Sequence, residues 1–178
     1  CRSGQQEQGS LILGYLFSIP RPEQMYTKHT EDITSIAYCD PALASCSLDG
    51  CIRFWSLQNG EHLGSVDVGT PVHKLASLNL YSTVVAASES KLYLIETVSP
   101  FLLKQTIDMN ALNVAGGCKT ITALELSSSE THLIVGDVSG TVHILRISTS
   151  SMSVIHSWKA HEDRILNATI VENPEVLD

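Results

Sequence analysis

Four short segments of this 178-residue chain can be written beneath one another: QGSLILGY, DGCIRFWS, ESKLYLIE and SGTVHILR. Each starts an alternating apolar run at a small residue, Gly9, Gly50, Ser90 or Gly140, so the intervals are 41, 40 and 50 residues. The runs are short, rich in Val, Ile, Leu and Thr, and bounded by turn residues roughly every 8–12 positions, while helical periodicity is weak. A period near 40 made of such runs constrains the chain more than any other feature. Each unit holds four strands, one sheet that cannot bury both of its faces alone and must stack on its neighbours.

The predicted fold is all-β, with blades of four antiparallel strands forming an incomplete arc of about three full blades and two half blades. The clearest unit runs ITSIAY, LASCS, CIRFWS, EHLGSV, from the innermost strand outward, with Asn59-Gly60 as the hairpin signal before the last. The next offers VHKLASL, TVVAA, KLYLIE and FLLKQTI, and the third TITALEL, HLIVG, TVHILRI and MSVIHSW. The blades are expected over residues 30–68, 70–108 and 119–159, with partial blades at 9–28 and 160–178, where ILNATI would open another strand. Residues 1–8 form a polar end that reads as truncated, and the long third interval places an inserted loop at 108–119. Neither end reads as natural, so the expectation is an arc of a larger propeller.

Composition narrows the function classes. With 19 acidic and 11 basic residues, a net charge of −8, and no Lys/Arg run, a broad nucleic-acid footprint is not expected. The apolar run SLILGYLF is too short to span a bilayer. Five cysteines without a CxxC pair point to reduced thiols, and a cytoplasmic location is the default, with nuclear or ciliary alternatives. The sequon at Asn167 falls in an expected strand and reads as chance. Scattered histidines without ligand spacing give no metal site, and no phosphate loop or cofactor motif is present.

The stretch SCSLDGCIRFWS, with His29 upstream, raises the choice between a hydrolytic triad and a structural network. Ser47 has no GxSxG elbow and lies within a strand, which argues against a nucleophile. His29, Ser47, Asp49 and Trp55, framed by Lys28-His29 and Trp55-Ser56, resemble one repeat of the WD40 β-propeller family. The resemblance implies a hydrogen-bonded tetrad of those four residues. Asp49 in an Asp-Gly turn can bond backbone N–H groups and the histidine, and the indole N–H can be satisfied by the serine oxygen. At the corresponding positions the second unit has Ala87, Glu89 and Ile95, and the third has Asp137, Ser139 and Leu145, so the polar pattern is complete once.

The resemblance also implies a non-catalytic interaction scaffold, within a larger chain or complex, whose loops meet protein partners. Candidate partner-binding residues are Glu31, Asp32, Leu48, Glu89, Val138, Glu162, Asp163 and Arg164, with Met109 and Leu112 from the inserted loop. Recognition of a basic or modified peptide, suited to the acidic loop residues, is one alternative. A hydrolase using His29, Ser47 and Asp49 is the other.

Overall fold

The computed structural model describes residues 28–111 and 120–170. The expected partial blade at 9–28, apart from Lys28, and most of the inserted loop, Leu112 included, lie outside the described residues, as do 171–178 of the second partial blade. The rest forms three four-stranded antiparallel sheets, each in simple chain order. The first holds β1 (Ile33–Cys39), β2 (Ala42–Ser47), β3 (Cys51–Ser56) and β4 (His62–Asp67). The second holds β5 (Lys74–Leu78), β6 (Thr83–Ser88), β7 (Lys91–Glu96) and β8 (Leu103–Asp108). The third holds β9 (Ile121–Leu126), β10 (His132–Asp137), β11 (Thr141–Ile147) and β12 (Met152–Lys159). Strand β1 packs on β5 and β5 on β9, so the first strand of each sheet is innermost and β4, β8 and β12 are outermost.

Alternation along each strand decides what lies between the sheets, because successive side chains point to opposite faces. In the middle sheet Val84, Ala86, Tyr93 and Ile95 enter one core with Ala44, Cys46, Ile52 and Phe54 of the first sheet. Their chain neighbours Val85, Ala87, Leu92 and Leu94 enter a second core with Leu133, Val135 and Leu145 of the third. Every residue of β6 is therefore buried, and TVVAAS reads as a continuous small or β-branched run rather than an alternating one.

Each sheet carries an irregularity at the same place. The β3–β4, β7–β8 and β11–β12 ladders shift register at Phe54/Trp55, Leu94/Ile95 and Ile144/Leu145. The extra residue on the outer strand is Leu63, Lys104 or Ile155, and all three are exposed. A bulge bends and twists its strand, so its recurrence gives the three outer strands a common curvature.

Two features depart from expectation. Residues 160–170 form no strand. Ile165 instead donates its N–H to the Asp137 carbonyl and takes the Thr122 hydroxyl on its own carbonyl, which leaves no ladder partner for ILNATI among the described residues. Asn167 is accordingly exposed and outside any strand. Met109, expected in a partner-binding loop, is 0% exposed and belongs to the core between the second and third sheets. An unbranched thioether fills an irregular gap there, and its N–H bonds the Ser90 carbonyl.

The β7–β8 hairpin supplies a second seam between the first two sheets. Phe101 stacks on Phe54 with ring centroids 4.6 Å apart. A Cβ placed on Gly64 of β4 would lie 2.5 Å from the Phe101 ring, so glycine is required at Gly64 for the ring to seat. Gly64→Ala is expected to cost about 1–3 kcal/mol, read as a lowered urea midpoint. In a Phe101→Ala background the same change should cost little, because the two sites share one contact.

Candidate functional site

An extended polar network sits on the face of the first sheet turned away from the second. The β2–β3 turn, Leu48–Gly50, sets Ser45 opposite Arg53 and Leu43 opposite Trp55. Ser45, Arg53 and Trp55 therefore share a face, and Trp55 reaches diagonally across the ladder to donate its indole N–H to Ser45 Oγ at 2.8 Å. Ser45 Oγ also lies 2.8 Å from His29 Nε2, and His29 Nδ1 lies 3.0 Å from Asp49 Oδ2. With the proton on His29 Nδ1 donated to Asp49, the Ser45 hydroxyl donates to Nε2 while accepting from Trp55; the Arg53 guanidinium, a donor only, lies 2.7 Å from the same Nδ1 and competes with that proton for the position. His62 adds an edge-on ring contact to Trp55 at 5.3 Å.

The serine of this network is Ser45, not Ser47. Both lie on one face of β2, so alternation cannot separate them, but position along the strand does. Trp55 pairs with Leu43, and Ser47 lies four residues beyond Leu43, about 13 Å along the strand. Ser47 is 0% exposed and braces the turn, donating to the Glu31 carbonyl and accepting the Asp49 N–H. The equivalents of Ser45 shift likewise, to Ala86 opposite Tyr93 and Val135 opposite His143, in place of Ala87 and Asp137.

Arg53 is a fifth member that the sequence reading missed. Its guanidinium reaches Asp49 Oδ2 at 2.9 Å, and its place two residues before Trp55 on the same strand face was the available signal. Asp49 also accepts the Cys51 and Thr30 N–H groups. Burial opposes ionisation of Asp49, but those N–H groups and His29 outweigh it and hold the carboxyl far below its ordinary value of 3.8. Burial lowers His29 below 6.5 despite the hydrogen bond and charge of Asp49, and Arg53 pushes the same way. Burial likewise lowers His62, and His143, whose Nδ1 is bonded to Ser157.

Such a network holds the β2–β3 turn in place. Ser47 is sealed from solvent and donates to the Glu31 carbonyl, and Ser45, 4% exposed, has its oxygen occupied by the Trp55 indole N–H. The remaining loop candidates do reach solvent: Glu31, Asp32, Glu89, Val138, Glu162, Asp163 and Arg164 are exposed, and Leu48 is half-buried. All lie at the crossover end, where the sheets are joined and the β2–β3, β6–β7 and β10–β11 turns sit. Backbone bonds such as Leu48 N–H to Asp32 O and Ile121 N–H to Glu89 O tie these loops together. Among the described residues no group of His, Cys, Asp and Glu is placed to hold a metal ion, and no helix is long and apolar enough to cross a membrane.

Stacked four-stranded sheets with innermost first strands, one of them braced by a His–Ser–Asp–Trp network, define a β-propeller of the repeat-built class. The family model "WD domain, G-beta repeat" matches residues 20–56, which hold the whole network. The chain is 26% identical over 158 residues to human WD repeat-containing protein 81, covering 85% of this chain and 8% of that protein. It is 27% identical over 168 residues to the putative E3 ubiquitin-protein ligase LIN-2 of Lotus japonicus, covering 90% of this chain and 11% of that protein. The chain thus spans about a tenth of the length of these curated relatives. Among solved structures, the β-propeller domain of Myceliophteria thermophila Cps50 (Swd1) superposes with a TM-score of 0.63 at 22% identity, over 78% of this chain and 46% of that one. The chain thus matches the WD-repeat family model in one repeat, residues 20–56, and its two other described units keep the four-stranded sheet but not the polar network.

Ser45→Ala leaves the Trp55 indole and His29 Nε2 both unpaired, and should lower stability by about 2–4 kcal/mol, about 1–2 for each orphaned group. With Trp55→Phe the two losses should sum to less than their total, measured in a double-mutant cycle. The pH dependence has a definite sign. Neutral His29, His62 and His143 are favoured by folding, so their contribution is complete above pH 6.5 and is lost as the pH falls below it. Asp49 contributes above its ordinary 3.8 and loses that contribution only in stronger acid. The urea midpoint should decline from pH 7 to pH 5, less steeply in His143→Leu.

Proposed function

We propose that this chain is a non-catalytic scaffold segment of a larger WD-repeat protein, and that its loop surfaces bind protein partners. The observation that carries the reading is the use of its His, Ser and Asp. The side chains of Trp55, Ser45, His29, Asp49 and Arg53 are hydrogen-bonded to one another, and Ser47 is bonded to the Glu31 carbonyl and the Asp49 N–H. A hydrolase needs a nucleophile within reach of substrate and donors for the oxyanion, and the buried serines here supply neither. Rigid stacked sheets with exposed connecting loops instead suit a surface that positions other proteins. The WD-repeat match and the propeller likeness support an interaction role of this general kind.

Chemical cross-linking of the protein in its native cells tests this, followed by sizing and mass spectrometry. The expected result is a defined assembly heavier than the protein alone, with no labelling of Ser45 or Ser47 by a fluorophosphonate. Elution as an isolated protein together with labelling of either serine would replace the scaffold by the hydrolase.

A further inference from the structure

The loop residues singled out from sequence lie at the crossover end, and the connections of the opposite end carry four large apolar side chains of their own in solvent. That end carries the hairpin connections 40–41, 57–61, 79–82, 97–102, 127–131 and 148–151. Leu80 is 71% exposed, Leu102 54%, Leu57 49% and Val98 43%, and Tyr38, two residues before Asp40, is 54% exposed. In the described crossover connections the large exposed apolar residues are Val138, at 39%, and Leu166, at 78%, with Ile33 and Trp158 on the strand ends beside them.

Charge divides the two ends. The described hairpin connections contain Asp40, Glu61 and Glu130, and no Lys, Arg or His. Of the cations on neighbouring strands, Lys104 is held by Glu96 at 2.8 Å and by the Thr149 carbonyl. Arg146 sits on the face of the third sheet turned away from the second. The crossover end mixes exposed Lys28 and Arg164 among its acids.

This apolar and acidic surface is also held in register across the three sheets. Asp40 donates its N–H to Asn79 of the second sheet, and Leu80 donates its N–H to the Glu130 carboxylate of the third. The connections on which Tyr38, Leu80 and Glu130 are carried are thus bonded in series, and the surface needs little ordering when a partner arrives.

Resting on the scaffold reading, we infer that the hairpin end is the partner-binding surface of this chain, and that its occupant is a protein segment carrying apolar side chains beside Lys or Arg. Leu80, Leu102 and Tyr38 supply the apolar contacts, and Asp40, Glu61 and Glu130 select the basic flanks.

A phage-displayed random peptide library selected on the purified full chain tests this. The winners are then measured by fluorescence anisotropy against wild type, Leu80→Ser/Leu102→Ser, and Glu31→Gln/Glu162→Gln as the crossover-end control, each confirmed folded by circular dichroism. The inference expects winners with apolar residues next to Lys or Arg. These should bind the Leu80→Ser/Leu102→Ser variant at least tenfold more weakly and the control unchanged, with affinity falling as salt rises. Winners that are acidic or uncharged, or that lose affinity only in the crossover-end control, overturn the inference and leave the scaffold reading standing. A library that yields no binder overturns both.

Discussion

Burial of the middle sheet on both faces is the constraint on which everything else depends. Strands β6 and β7 alternate their side chains between two separate cores, so neither core can be altered without moving the backbone that supports the other. Close packing resists such movement. The outer sheets are then fixed relative to each other through a layer one strand thick. This explains why the connecting loops can be exposed and yet well positioned: their ends are strands that have nowhere to go.

Polar interactions take a different part. The network of His29, Ser45, Asp49, Arg53 and Trp55 belongs to one sheet, and the other two replace its members by Ala86, Tyr93 and Ile95, or by Val135, His143 and Leu145. Those replacements turn inward and pack. The second and third sheets, each with a described neighbour on that face, are held there by burial, and the turn of the first sheet is held by hydrogen bonds and an ion pair. The two solutions use the same strand positions, so they read as one repeat with two different interiors.

How much of this was legible in the sequence follows from the same physics. The twelve strands and their grouping were readable because period-2 patterning and turn residues are local. The identity of the network serine was not, since Ser45 and Ser47 have equal parity and only the ladder register tells them apart. Met109 was misplaced because an apolar residue beside an insertion looks like a loop residue until the core it fills is known. The recurrent bulges at Leu63, Lys104 and Ile155 share no residue type, so nothing in composition announces them. The strand expected from ILNATI required a partner that lies outside its own segment, and strand formation is never a property of one segment alone.

One small contact has a consequence for how such repeats diverge. The second residue of β1, Thr34, gives its hydroxyl to the Val72 carbonyl at the entrance to the next sheet, and Thr122 of β9 does the same to the carbonyl of Ile165. In both cases the recipient is main chain. A joint addressed to a carbonyl makes no demand on the side chain that follows, so the unit it receives is free to drift in sequence while its position stays fixed. Loss of the polar motif from later repeats, with retention of their geometry, is what a chain fastened in this way can tolerate.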